Sequence, residues 1–277
     1  IVRILLFRKC KMCGIFGLIS NENINDLSKI KKLALYSEQR GKDSSGIYSA
    51  KEENNKTTYT IDRASFPITK LINKVSIKNC KYLMAHSRLI TTGSSNNQPI
   101  LYNNNVTVIH NGIIVNHDDL FKDKNLDRFH EIDTEIIAAL CSNGLEKGNS
   151  LQTIANDILK LCKGTISTAI AINSIGKLIL FSNNGSLFVG SDDKNDIYFS
   201  SEKYPLLNID CKNIRQIWET VEIVDIPLST KPIIETTHIS KPRLDLIPTL
   251  GSSSLEANQL GYRKNTSLRC SKCILPE

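Results

Sequence analysis

The chain has 277 residues and a formal charge of +7, and 40% of its residues are hydrophobic and 23% charged. This length supports one large or two small domains with a sizeable core, and the composition excludes a disordered chain. Apolar runs stay shorter than the roughly 18 residues of a membrane span, and the basic residues form neither an aromatic-interleaved run nor a zinc-finger spacing. We therefore expect no membrane and no nucleic acid among the partners.

The start of the chain and the cysteine spacing indicate the cellular compartment. Residues 1–12 contain no long apolar region and no small-residue cleavage site, so we expect no secretory signal. The eight cysteines are scattered apart from the pair Cys270 and Cys273. These observations predict a cytoplasmic protein whose cysteines are free thiols.

Hydrophobic periodicity predicts the following elements in chain order. The first half is predicted to contain a strand at 13–19, a helix at 24–39, a hairpin of Ser45–Ala50 with Thr57–Arg63, a short helix at 67–76 and strands at 81–88 and 105–111. The second half is predicted to contain helices from Asp133 to 146 and from Ser150 to Cys162, and strands at Thr165–Ile172, Lys177–Ser182, Ile197–Ser201 and Val221–Ile226. This order indicates an α+β domain in which sheet packs on sheet between helical layers. Beyond residue 235, prolines, a Gly-Ser-Ser-Ser run and a polar tract predict a linker over 236–269.

Cys13 enters an apolar strand directly after Met12. Most cysteines in such strands are small core residues. Removal of Met12 as an initiator would instead leave the Cys13 thiol and an α-amine on one terminal residue. An α-amine with a pKa of roughly 7.7–8.0 can accept the proton of a thiol with a pKa of about 8.5, directly or through a water. A single residue would then supply both the nucleophile and the base.

Five separated segments carry the most specific pattern in the chain. They are CGIFG at 13–17, RGKDSSG at 40–46, AHSRLITTG at 85–93, HNGIIVN at 110–116 and DTE at 133–135. In this order they resemble the glutaminase domain of class II glutamine amidotransferases, which belong to the N-terminal nucleophile hydrolases. The resemblance implies a four-layer αββα sandwich over residues 13–235, with residues 1–12 as an upstream extension or propeptide. It also implies that Cys13 forms a γ-glutamyl thioester and that the released ammonia passes to a synthetase.

The resemblance implies that the Asn111 side-chain amide and the Gly112 backbone N–H stabilise the oxyanion. Attack on an amide builds a negatively charged oxygen, and each preorganised donor is worth about 10²–10³-fold in rate. Asn-Gly is also a strong hairpin-turn signal, so a turn is the structural alternative at these two residues.

The resemblance further implies that Arg88 binds the α-carboxylate of glutamine and Asp133 its α-ammonium. A guanidinium fork matches a carboxylate, and a buried carboxylate matches an ammonium. Thr91 and Gly93 fall in the segment that resembles the loop covering bound glutamine. The alternatives are a surface ion pair at Arg88 and a helix N-cap at Asp133.

The residues leave other mechanisms and functions open. A conventional triad would use Cys13, Asp43 and either His86 or His110 as base, whereas Arg40 and Asp43 fit better as a turn that supports the nucleophile strand. A catalytically silent domain that only binds glutamine or a partner is a second alternative. A third is an N-terminal cysteine hydrolase of another amide.

The last eight residues, CSKCILPE at 270–277, resemble the start of ATP-pyrophosphatase-type amidotransferases that modify N-acetyl sugars of bacterial surface polysaccharides. The resemblance implies the N-terminal part of an N-acetyl sugar amidotransferase or an asparagine-synthetase-like enzyme, with a truncated C-terminal domain starting at residue 270. ATP is then expected in the missing synthetase domain. Zinc would bind Cys270 and Cys273 only in a longer chain, because these two residues are half of a four-ligand site. The partners implied for the glutaminase step are L-glutamine and the synthetase, with no cofactor.

Overall fold

A computed structural model of the chain describes residues 13–53, 56–89, 97–227 and 232–239, with the backbone alone at Glu53, Lys56 and 232–239. The predictions for residues 1–12, for Thr91 and Gly93, and for Cys270 and Cys273 lie outside the described residues. Most of the predicted linker lies outside them as well.

The described residues form two β-sheets with helices on their outer faces. The strands are β1 Gly14–Ile24, β2 Ser44–Glu53, β3 Lys56–Ala64, β4 Cys80–Arg88, β5 Ile100–Tyr102, β6 Val106–Ile114, β7 Gly164–Ile172, β8 Lys177–Ser182, β9 Phe188–Ser191, β10 Ile197–Ser200, β11 Lys212–Gln216, β12 Val221–Asp225 and β13 Pro232–Ile239. The α-helices are α1 Ser28–Glu38, α2 Ile68–Ile72, α3 His117–Asp123, α4 Thr134–Glu146, α5 Leu151–Leu161 and α6 Lys203–Leu207.

Strand pairing divides these strands between a sheet of eight and a sheet of five. The larger sheet has the order β11-β9-β10-β1-β4-β2-β3-β13, and the smaller has the order β12-β8-β7-β6-β5. In the larger sheet, neighbouring strands pair antiparallel except for β13, which pairs in parallel with β3.

Three hydrophobic clusters separate the layers. Because neighbouring strand residues point to opposite faces, Phe16 packs with the helical residue Leu33, while Ile15 packs between the sheets with Leu180 of β8. On the far side of the smaller sheet, Ile136 of α4 belongs to the third cluster. The layers are therefore helix, sheet, sheet and helix, and the predicted αββα sandwich is confirmed.

The predicted elements are all present, and apart from β13 the strands and α-helices that were not predicted are short. Strands β5, β9 and β11 and helices α3 and α6 span three to seven residues each, too few to show a hydrophobic period. Strand β13 reaches Ile239, past residue 235 where the linker was predicted to begin. Its Pro232 is compatible with a strand because it is the first residue of an edge strand. None of the described helices is long and apolar enough to cross a membrane.

Candidate active site

Cys13 lies immediately before β1, at the end of the larger sheet where β4 finishes. Gly14 pairs with Ser87, so the thiol lies beside the last residues of β4. The Cys13 Sγ donates to the carbonyl oxygen of Leu89 at 3.8 Å. The sequence therefore folds so that the predicted nucleophile meets the segment that contains Arg88.

Burial raises the pKa of the Cys13 thiol, and the nearby Asp133 carboxylate adds to that rise. The hydrogen bond to Leu89 and the charges of Arg88 and Arg40 act in the opposite direction and lower the pKa. Burial dominates because it removes the water that would stabilise the thiolate. The thiol is consequently protonated near neutral pH, and nucleophilic attack requires a base.

Arg40 and Asp43, the predicted supporting residues, lie in the loop between α1 and β2. The Arg40 Nε donates to the Cys13 carbonyl oxygen at 2.9 Å, and the Arg40 Nη1 forms an ion pair with Glu202 at 2.7 Å. The Asp43 backbone N–H donates to the Arg88 carbonyl oxygen at 3.0 Å. The loop thus connects the backbone of the nucleophile with that of the predicted carboxylate ligand.

Arg88 ends β4 and is buried, with 7% of its surface exposed. Its guanidinium donates to the Asn97 side-chain oxygen at 3.3 Å, and the same oxygen accepts from the Ser44 hydroxyl at 2.8 Å. The surface ion pair that sequence analysis left open is therefore wrong. The guanidinium is held inside the fold, beside the thiol whose pKa it lowers.

Asn111 and Gly112 lie within β6 of the smaller sheet and pair with Ser167 and Ile166, so the alternative of a hairpin turn is wrong. The Asn111 side chain is 1% exposed, and neither of its amide atoms has a hydrogen-bond partner among the described residues. A buried amide without partners is costly unless a ligand satisfies it. Gly112 has a φ of +156°, and a side chain there would place its Cβ 1.9 Å from the Thr165 carbonyl oxygen. Only glycine fits at this point of the strand.

Asp133 occupies the N-cap position of α4, but its side chain makes no capping hydrogen bond. Its carboxylate instead accepts the backbone N–H of Ile114 in β6 at 2.8 Å. The predicted helix cap is thus correct in position and wrong in its hydrogen bond. The same negative charge adds to the rise in the pKa of Cys13 and opposes the burial that lowers the pKa of His110, so Asp133 is close to both the predicted nucleophile and β6.

In the described part of the chain, neither of the two histidines proposed as triad bases hydrogen-bonds to Cys13 or Asp43. The ring of His110 contacts the Thr165 carbonyl oxygen through Nε2 at 3.2 Å and the Thr134 hydroxyl through Nδ1 at 3.4 Å. His86 is 1% exposed, and neither ring nitrogen has a hydrogen-bond partner in the described part of the chain. Burial, with the charges of Arg88 and His110, lowers the pKa of His86 to about 3.

Asn97 and Gln98, which precede β5, were not among the predicted site residues. Asn97 contacts Arg88, and the buried Gln98 hydrogen-bonds to His110 and Thr134. Their signal in the sequence is a polar pair followed by Pro99 directly before an apolar run. That signal resembles an ordinary turn.

Comparisons with known proteins identify a family and several relatives. A family model described as a glutamine amidotransferase domain matches residues 86–208. The chain is 30% identical over 231 residues to the amidophosphoribosyltransferase of Methanocaldococcus jannaschii, covering 78% of this chain and 47% of that protein. It is 28% identical over 209 residues to the isomerizing glutamine–fructose-6-phosphate aminotransferase of Zymomonas mobilis, covering 70% of this chain and 32% of that protein. The chain thus spans half or less of the length of these relatives.

Solved structures share the fold. The glutamine phosphoribosylpyrophosphate amidotransferase of B. subtilis, complexed with ADP and GMP, matches with a TM-score of 0.61 and 23% identity, over 77% of this chain and 47% of that chain. A structure described as the allosteric regulatory enzyme of purine biosynthesis matches with a TM-score of 0.60 and 21% identity, with the same coverage of both chains.

Proposed function

Because the chain carries a class II glutamine amidotransferase domain of the N-terminal nucleophile type, we propose that it hydrolyses the side-chain amide of L-glutamine at Cys13 and supplies the ammonia to a partner domain. One arrangement carries this proposal. The charges of Arg88 and Asp133 both act on the pKa of the Cys13 thiol. This cation and this anion match the two charged groups of an α-amino acid. A substrate held at these two charges would direct its side chain into the site.

The proposed reaction has two chemical steps. The Cys13 sulfur attacks the side-chain carbonyl carbon of glutamine, the thiol proton passes to the base, and the oxyanion is stabilised by the Asn111 amide and the Gly112 N–H. The C–N bond then breaks, and the amide nitrogen takes the proton and leaves as ammonia. Water next attacks the γ-glutamyl thioester, which releases glutamate and restores the thiol.

We assign the base to the α-amine of Cys13, exposed by removal of residues 1–12. His86 is unsuited as the base, because burial lowers the pKa of its imidazole to about 3 while burial raises the pKa of the Cys13 thiol, so proton transfer between them is strongly unfavourable. His110 is also unsuited, because burial lowers its pKa and both ring nitrogens contact neighbouring groups. An α-amine, with an ordinary pKa of roughly 7.7–8.0, is a better acceptor for the thiol proton than either imidazole.

The proposal for the acceptor rests on the relatives and on the end of the chain. The two curated relatives are named for a phosphoribosyl group and for fructose 6-phosphate, which supports a sugar as the acceptor. The resemblance of residues 270–277 supports an ATP-dependent synthetase partner. Under this proposal, zinc would require ligands beyond Cys270 and Cys273.

The test compares a chain that begins at Ile1 after an added initiator with a chain that begins at Met12. Intact mass and glutaminase rate are measured for both, before and after treatment with a diazoketone analogue of glutamine. We expect the active form to lack residues 1–12 and to gain one adduct, which the Cys13→Ala control does not gain. In the long chain the Cys13 nitrogen is an amide without basicity, so the unprocessed form should be nearly inactive.

The alternatives give different results in the same experiment. Equal rates from an unprocessed long chain would place the base elsewhere. Glutamine binding without turnover by either chain would support the silent domain. Turnover of another amide in preference to glutamine would support the different hydrolase.

A further inference from the structure

The side chain of Gln98 makes three hydrogen bonds in the interior of the domain. It is 5% exposed. Its Oε1 accepts the His110 backbone N–H at 2.5 Å, and its Nε2 donates to the His110 carbonyl oxygen at 3.0 Å and to the Thr134 hydroxyl at 2.9 Å. The partners determine the orientation of the amide, because a backbone N–H can only donate and a carbonyl can only accept.

These contacts join two parts of the candidate site that are distant in the sequence. His110 directly precedes Asn111, and Thr134 directly follows Asp133. A single amide therefore binds the backbone beside the oxyanion donors and the first residue of the helix beside the predicted ammonium ligand. The Asp133 bond to Ile114 connects the same two elements a second time, so their separation is fixed at two points.

The backbone of Gln98 is itself held tightly. A Cβ at Gly46 in β2 would lie 2.0 Å from the Gln98 carbonyl oxygen, so the segment crosses β2 where no side chain is present. The preceding residue, Asn97, accepts hydrogen bonds from Arg88 and Ser44 and donates to the Ala64 carbonyl oxygen at 3.3 Å. Two adjacent residues thus contact the larger sheet through Arg88 and the smaller sheet through His110.

We propose that Gln98 is a positioning residue that sets the oxyanion donors Asn111 and Gly112 against Asp133, and that Asn97 orients Arg88 in the same way. This inference rests on the proposed glutaminase function. A hydrogen-bonded amide that holds the backbone of a reacting site matters because misplacement by about 1 Å can cost about 100-fold in rate. Neither residue touches the reacting atoms, so their effect passes through the groups they hold.

The variant Gln98→Glu tests the proposal through its pH profile. The introduced carboxylate faces the His110 carbonyl oxygen and cannot donate to it, but its protonated form can. Burial beside a carbonyl oxygen raises the pKa of a carboxyl group, so lowering the pH restores the donor. The charged and titratable groups around this position are His110, Asp133 next to Thr134, Arg88 bound to Asn97, and Arg63 bound to the Pro99 carbonyl oxygen.

We expect the kcat of Gln98→Glu to be about 10–100-fold below wild type at pH 8, and the deficit relative to wild type to shrink as the pH falls toward 6. Comparison with wild type at each pH removes the titration of the groups present in both chains. Gln98→Ala should be slow at every pH, because it has no donor to recover. Asn97→Ala should raise the KM for glutamine more than it lowers kcat.

The matched control is Gln152→Glu, the same change at an exposed position of α5. It should keep wild-type kinetics at every pH. If the wild-type chain hydrolyses glutamine and the kcat of Gln98→Glu stays within twofold of wild type at every pH, the positioning role alone would be overturned. A uniformly slow Gln98→Glu chain with no recovery at low pH would also overturn it and indicate general damage to the fold. A processed wild-type chain that does not hydrolyse glutamine would overturn the proposed function together with this inference.

Discussion

Opposed charges surround a single thiol in this domain. Arg88 and Arg40 favour the thiolate of Cys13, while Asp133 and burial oppose it, and burial has the largest effect. Under the proposed function, a bound amino acid would place its carboxylate at Arg88 and its ammonium at Asp133. In that case the same charged side chains would bind the substrate and influence the protonation of the Cys13 thiol.

Substitutions of Arg88 and of Asn111 should change different kinetic constants. Arg88→Lys removes the fork that binds a carboxylate with two hydrogen bonds, and we expect it to raise the glutamine KM about 10–100-fold. Asn111→Ala removes an oxyanion donor, and we expect kcat to fall about 100–1,000-fold with a smaller change in KM. Steady-state glutaminase assays measure both. An Arg88→Lys enzyme with an unchanged KM would contradict the role of Arg88.

The buried His86 should make the stability of the domain depend on pH. Its folded-state pKa of about 3 lies below the unfolded value near 6.5, so the unfolded chain takes up a proton first as the pH falls. The stabilisation is complete above about pH 6.5 and is lost progressively toward pH 3. Between pH 7 and pH 5, we expect wild type to lose about 2 kcal/mol more of its unfolding free energy than His86→Gln does. Urea unfolding at the two pH values measures this difference, and an equal fall in both chains would refute it.

Two helices of the smaller-sheet layer begin in contrasting ways. Ser150 caps α5 by accepting the Thr153 backbone N–H at 3.1 Å, as its sequence position predicts. Asp133 has the same position in α4, but its carboxylate binds β6 instead. One N-cap residue thus stabilises its own helix, while the other joins its helix to the strand that carries the oxyanion donors.

This contrast predicts a purely structural effect at Ser150. Ser150→Ala leaves the Thr153 N–H without its side-chain acceptor and should lower the unfolding free energy by about 1 kcal/mol. Ser150→Asp keeps an acceptor and should restore most of that loss. Glutaminase kinetics should be unchanged in both, because Ser150 makes none of the contacts of the site. Denaturant unfolding and rate assays test this, and a change in kcat would show that α5 affects the site.

An apolar layer lies between the two sheets of the described domain. Tyr48 and Tyr82 of the larger sheet are fully buried there. The Tyr48 hydroxyl donates to the side-chain oxygen of Asn173, which follows β7 of the smaller sheet. The Tyr82 hydroxyl has no hydrogen-bond partner among the described residues. Similar tyrosines thus differ in whether their hydroxyl connects the sheets.

Removing each hydroxyl should therefore have a different effect on stability. Tyr48→Phe leaves the Asn173 oxygen without its donor inside the layer and should lower the unfolding free energy by about 1–2 kcal/mol. Tyr82→Phe removes a buried polar atom that lacks a partner and should leave the stability unchanged or raise it. Parallel thermal and urea unfolding of the two variants makes the comparison. Equal losses in both would show that the inter-sheet hydrogen bond contributes no stability.

The sequence by itself determined the long strands and helices, the layered fold and the family. Periodicity is a local property, and Cys13, Arg88, Asn111 and Asp133 lie in short segments whose residue types can be read directly. The short elements gave no period, and β13 lay in a stretch whose prolines indicated a linker.

Only the tertiary structure decided how these segments support one another. Gln98 and Thr134 are 36 positions apart, and Arg40 lies 27 positions from the Cys13 carbonyl that it binds. The cap position of Asp133 was visible in the sequence, but its bond to Ile114 depends on how α4 packs against β6. The physical reason is that a side chain's local pattern sets its conformational preference, whereas the partner of a buried polar group is chosen by the fold that brings distant segments together.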